Sequence, residues 1–314
     1  MHKIASTARV AFQGEPGAFS QIAARKLLGD SVETVACPTF ESLFDSIGQG
    51  RADLILAPLE NTLAGPVLRC YDLLYQSALA MIGEVVLRIG HCVIGCPGSS
   101  LQSIRRIQSH PVALAQCENF FADHPAIAKA VADDTAGSVR QVMQAQDPTV
   151  AAIASDFAAQ LYGAQVLVAN VEDDPLNFTR FALLQPTAHA VPNDVTNGVT
   201  NDATDGLANG FSSDATGDLP ADAALDDQAD ASTIVLTVAN EAGALFRCLE
   251  PLALNSVDLM SLTSRPLVGA PWHYRFFLEV AAAASDPRMV KALGELASRI
   301  VELRVLGSYR SGKS

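Results

Sequence analysis

Hydrophobic and polar positions switch between two periods along the first half of the chain. Apolar runs at 10–13, 32–37 and 53–57 read as strands, the last of them buried on both faces. Between them, 19–28 and 40–47 carry apolar residues near helical spacing. A long extended segment follows at 81–96, then a helix at 111–121 with Pro111 in its first turn. Helices at 135–144 and 155–162, strands at 151–153 and 165–171, and an apolar strand at 181–184 complete this part. Strand–helix alternation of this kind predicts a parallel or mixed α/β sheet covered on both faces. From residue 233 the pattern is strand (233–238), helix (244–254), strand (258–264), strand (274–280), helix (286–299), strand (302–306), a ferredoxin-like order.

The stretch 187–231 breaks both periods. It is rich in Asp, Ala, Asn, Thr and Gly and offers little apolar surface to offset chain ordering, so it reads as a disordered acidic linker. Residues 186–232 hold nine Asp and no Glu, Lys or Arg, so most of the net charge of −13 is local to them. The rest of the chain carries an ordinary balance, and no basic patch for nucleic acid stands out. The length, 314 residues, suits two domains. No apolar run approaches the roughly 18 residues of a membrane span, and the first residues lack a signal-peptide core. A cytoplasmic protein with reduced cysteines is the expectation. Cys92 and Cys96 stand without a second pair, so a metal site is not expected. Gly14 to Ser20 does not fit Gly-x-Gly-x-x-Gly, so no dinucleotide is expected either.

Candidate chemistry concentrates in Asn177-Phe178-Thr179-Arg180-Phe181, after the acidic Glu172-Asp173-Asp174-Pro175. Upstream stand Gly14-Glu15-Pro16-Gly17-Ala18-Phe19-Ser20, Pro58-Leu59-Glu60-Asn61-Thr62, and Ser109-His110-Pro111 leading to Gln116. Downstream stand Gly243-Ala244-Leu245 and Ser264-Arg265-Pro266. This ordered set resembles the prephenate dehydratase family, including its arogenate dehydratase branch. The resemblance implies a two-lobed catalytic domain like type II periplasmic binding proteins (7–186), the linker (187–231) and an ACT regulatory domain (232–310).

The activity so implied is conversion of prephenate to phenylpyruvate, with loss of water and carbon dioxide. Arogenate is the alternative substrate, and a non-catalytic amino-acid-binding sensor the rival function. No cofactor is implied, because aromatisation drives the reaction. Thr179, Arg180, Asn61 and Thr62 are the implied catalytic residues; Gly17, Ala18, Ser20, Gln116 and Phe181 the implied substrate contacts. A hydroxyl such as that of Thr179 suits a hydrogen bond to the departing hydroxide. A planar guanidinium suits a side-chain carboxylate or the orientation of Thr179; pairing of Arg180 with Asp173 or Asp174 is the bland reading. His110 reads as structural. Gly243, Ala244, Leu245, Ser264, Arg265 and Pro266 are the implied allosteric site for phenylalanine, and a homodimer or homotetramer is the implied assembly. Three positions depart from the family: Thr62 where Ser is usual, Val112 where Gln is common, and Thr263 in place of Glu, which weakens support for the effector's ammonium group. With few residues ahead of the first strand, no chorismate mutase domain is expected.

Overall fold

The computed structural model describes residues 8–187, 228–238, 240–267 and 269–312. The reading of 187–231 as a linker lies almost wholly outside the described residues. Contacts divide the chain into two compact units. One comprises the chain up to Leu73, Glu84–Gln185 and the residues from Gly312; the other joins Leu74–Gly83 to Pro186–Ser311. The division falls between Gln185 and Pro186, and the ten-residue piece Leu74–Gly83 groups with the second unit. Its packing explains this. The Tyr75 ring lies against the Arg275 and Arg304 guanidiniums, its hydroxyl donates to Glu302 at 2.5 Å, and Gly307 leaves the room that Met81 fills.

The first unit contains two sheets. In chain order come β1 (Arg9–Gln13), α1 (Phe19–Leu28), β2 (Glu33–Cys37), α2 (Phe40–Gly48), β3 (Leu54–Asn61), the short β4 (Gly65–Pro66), α3 (Leu68–Gln76) and β5 (Leu79–Arg88). The chain then crosses to β6 (Cys92–Gly95), β7 (Arg106–Ser109), α4 (Pro111–Ala115), α5 (Glu118–Asp123), β8 (Ala128–Val131), α6 (Thr135–Ala145), β9 (Val150–Ala154), α7 (Asp156–Tyr162) and β10 (Gln165–Ala169). It returns as β11 (Phe178–Pro186), which enters the first sheet. That sheet runs β2-β1-β3-β11-β5 with β4 on β3, and the second runs β10-β6-β9-β7-β8. β3 and β9 are buried almost end to end, and so carry continuous apolar runs rather than alternation. Residues 92, 94 and 152 face one core cluster while 93, 151 and 153 face another, so the second sheet is covered on both sides.

Two joints organise the site. Pro58 lies in the interior strand β3, where a missing N–H is normally excluded. Here the register slips between Arg180↔Glu60 and Phe181↔Pro58, a bulge that accommodates Pro58 and re-aims the strand's end. The helix expected at 111–121 is split at Gln116 and Cys117. Asp173 accepts from the N–H groups of Glu118 and Asn119 and so starts a new helix there.

The second unit carries β12 (Ala231–Thr237), α8 (Ala244–Leu254), β13 (Leu259–Pro266), β14 (Tyr274–Val280), α9 (Pro287–Ala297) and β15 (Glu302–Tyr309). Its sheet order β13-β14-β12-β15, all antiparallel, is the ferredoxin-like one. The two helices pack a core that includes Cys248, Leu252, Met289 and Leu296 against the sheet.

Candidate active site

The end of β3 and the start of β11 place Asn61 opposite Thr179. The Asn61 amide cannot turn over. Its Oδ1 accepts the backbone N–H groups of Leu63 (3.0 Å) and Ala64 (2.8 Å), which can only donate. Its Nδ2 is therefore turned to Thr179 Oγ1 (2.9 Å), Asn177 Oδ1 (2.7 Å) and the Phe178 carbonyl (3.1 Å). Thr179 Oγ1 accepts from Asn61, and its own proton is left to donate elsewhere. Thr179 is 9 % exposed, a small opening onto solvent.

The same polarity runs on. Fully buried Asn177 donates from Nδ2 to Gln116 Oε1 at 3.0 Å. His91 Nε2 meets that same oxygen at 3.0 Å, which makes Nε2 the protonated nitrogen. Gln116 thus spends its carbonyl on two protein donors and keeps its –NH₂ for another acceptor. His91 is buried, and burial pushes its pKa down, so it stays neutral. The edge of the Phe19 ring packs on it, with centroids 5.5 Å apart. One chain of contacts therefore links the start of α1, the segment between β5 and β6, the break between α4 and α5, and the β3–β11 pair.

Asn177 stands in the candidate run, two residues before Thr179, but was given no role there, and His91, a lone histidine in an apolar run, was not singled out. Only the topology brings them to Gln116.

Several expected roles change. Arg180 is 4 % exposed, and its guanidinium reaches Glu84 (2.8 Å), Tyr71 Oη (3.2 Å) and Glu60 (3.4 Å). Adjacent strand residues project to opposite faces, so the guanidinium lies on the face of β11 opposite the Thr179 hydroxyl. It does not pair with Asp173 or Asp174. Those carboxylates hold backbone N–H groups of 118, 119 and 176, and Glu172 holds Arg88 and the His91 N–H. The Thr62 hydroxyl is also spent, donating to the Leu176 carbonyl and accepting from the Phe178 N–H, so it fastens the entry to β11. Phe181 is 2 % exposed and packs in the core.

The expected anion-binding turn is different too. The Gly17 N–H goes to Gln21 Oε1 at 2.7 Å and the Ala18 N–H to the Glu15 carbonyl. Gly17, at φ +96°, has no room for a side chain, since a Cβ would lie 3.1 Å from Ala158. Its carbonyl accepts from Ser155 Oγ (2.8 Å), and the Pro16 carbonyl accepts from Tyr162 (2.8 Å). This turn joins the two lobes. Ser20, in the first turn of α1, is buried. His110 caps α4 by accepting the Val112 N–H, as a structural histidine does.

In the second unit, Gly243 is the N-cap of α8, and the Ala244 N–H returns to Glu241. A cavity of about 170 Å³ opens there, lined by Glu241, Ala244, Leu245, Trp272, Tyr274 and Phe276 among others. In the β13–β14 register, Ser264 pairs with Phe276, Arg265 with Arg275 and Pro266 with Tyr274. Ala244 and Leu245 line the cavity, while Ser264 and Pro266 lie on the neighbouring strand, paired with the lining residues Phe276 and Tyr274. Thr263 is buried, so a carboxylate there would be desolvated.

Two lobes linked by two crossings, with polar side chains of both converging at one strand end, define a two-lobed α/β ligand-binding fold of the type II periplasmic-binding kind, here beside a ferredoxin-like unit. A family model for prephenate dehydratase matches residues 10–189, and the chain belongs to that family. It is 33 % identical to arogenate dehydratase/prephenate dehydratase 2 of Arabidopsis thaliana, over 97 % of this chain and 73 % of that one. A prephenate dehydratase from Arthrobacter aurescens, solved in complex with L-Phe, is 26 % identical with a TM-score of 0.78, covering 97 % of this chain and 90 % of that one. A structure described as GqqA, a novel type of quorum quenching acylase, is 31 % identical with a TM-score of 0.79, over 97 % and 98 % of the two chains.

Proposed function

We propose that this chain converts prephenate to phenylpyruvate. The carbon–oxygen bond to the ring hydroxyl breaks and the oxygen leaves with the electron pair. The ring carboxylate departs as carbon dioxide, and its bonding electrons complete the aromatic ring. The observation that carries the reading is the locked Asn61 amide, which leaves the Thr179 proton as a donor at the open face of β11. A donor aimed at an oxygen gaining charge stabilises the transition state more than the ground state. The Gln116 –NH₂ is the second donor, for a carboxylate or carbonyl of the substrate.

Arogenate differs from prephenate only by an ammonium in place of the keto oxygen, and the same site geometry serves it. An acylase built on Thr179 would need a base beside the hydroxyl. Asn61 offers a donor there instead, which favours dehydration. We assign the cavity at α8 to feedback inhibition by phenylalanine, and the exposed Phe246 and Leu254 on that helix to pairing between copies of the chain. Ultraviolet detection of phenylpyruvate from prephenate, with arogenate competed in the same assay, tests the reaction. Absence of turnover on both substrates would overturn it.

A further inference from the structure

β11 is held from the face opposite Thr179 by a polar cluster that the reaction does not touch. Arg180 and Glu84, with side chains 4 % and 3 % exposed, pair at 2.8 Å, and the guanidinium also reaches Tyr71 and Glu60. Glu84 is what allows a full positive charge to be buried one residue from Thr179; a buried ion with its partner removed is strongly destabilised. Glu84 is itself held by the far end of the chain. Its Oε1 accepts the backbone N–H of Gly312 at 3.0 Å, 228 residues away in sequence. A Cβ there would be crowded, 3.1 Å from Val85 Cα and Val86 N and 3.2 Å from the Glu84 carbonyl. Such contacts are with backbone, which cannot swing aside.

We propose that Glu84 is a positioning residue for the dehydration, and that the Gly312 turn, by clamping Glu84, ties the end of the chain to the placement of Thr179. Residue 312 lies three positions beyond the end of β15. The kinetic part of the proposal rests on the dehydratase reading; the structural part does not.

The test compares Glu84→Gln, Gly312→Val and the double variant with the wild type, in turnover of prephenate and in amide exchange at residues 179–181. Glu84→Gln should lower kcat about tenfold or more and Gly312→Val about threefold to tenfold, with KM within about twofold, because the transition state and not substrate binding is disturbed. Exchange at 179–181 should quicken in both while circular dichroism is unchanged, and the double variant should be no worse than Glu84→Gln alone. Gly312→Val with wild-type kcat and wild-type exchange would overturn the proposal. So would a rise in KM at constant kcat in either variant. If Glu84→Gln does not fold, Gly312→Val decides alone. A wild type that turns over neither prephenate nor arogenate would count against the dehydratase reading, and the exchange comparison would still decide the clamp.

Discussion

At the scale of single residues, the site works through the direction of its hydrogen bonds. Two backbone N–H groups fix Asn61, Asn61 makes Thr179 an acceptor, and Thr179 is left as a donor. Asn61→Asp should reverse this. A carboxylate oxygen in place of Nδ2 would draw the Thr179 proton to itself and face the Asn177 and Phe178 oxygens. We expect kcat to fall about 100-fold, comparable to losing one oxyanion donor, with the fold kept. Steady-state kinetics on a variant of unchanged circular dichroism checks this, and a near-wild-type kcat would contradict it. His91 supplies a second test. Its folded pKa lies below the ordinary 6.5 because burial disfavours the charged imidazolium. As pH falls below about 6.5, the unfolded chain takes up a proton that folded His91 refuses, so stability is present above that pH and declines below it. Urea unfolding of the wild type and of His91→Asn at pH 7 and pH 5 should show a steeper loss in the wild type; equal slopes would remove His91 from this account.

At the scale of elements, the regular pieces were legible because each rests on local chemistry. The helices Phe19–Leu28 and Ala244–Leu254 and the strand Tyr274–Val280 fall where the apolar period places them. What the sequence concealed depends on distant partners. The break at Gln116 comes from Asp173, more than fifty positions on, and the bulge at Pro58 exists only against β11. β7 and β8, four residues each, passed unread because they are too short to show a period, and α3 passed unread although Cys70, Tyr71 and Leu74 share a buried helical face. The motif residues were visible, yet their duties were not: period alone cannot tell that Arg180 turns inward to Glu84, or that Gly17 is a joint. That joint is testable. Gly17→Ala places a methyl 3.1 Å from the Ala158 backbone at a φ of +96°. It should cost about 1–3 kcal/mol of stability, through strain and crowding together. Denaturant titration measures it, and an unchanged midpoint would show that the two lobes do not meet there as described.

At the scale of the whole molecule, one chain carries a two-lobed site and a ferredoxin-like unit with its own cavity. β5 begins among residues grouped with the second unit and continues from Glu84 to Arg88 in the first. Phenylalanine is expected to bind the cavity at α8 and to lower turnover, and calorimetry with the full chain at millimolar phenylalanine checks it; no heat of binding would refute the assignment. Sedimentation at micromolar concentration should find a dimer or larger assembly. None of this bears on the chemistry as directly as product formation itself. The decisive measurement is the initial rate of phenylpyruvate formation from saturating prephenate by the wild type and by Thr179→Val, a near-isosteric change that deletes only the hydroxyl. The account predicts turnover by the wild type and a kcat about 10²–10³-fold lower in a folded variant of similar KM. A folded Thr179→Val protein with near-wild-type kcat would contradict it.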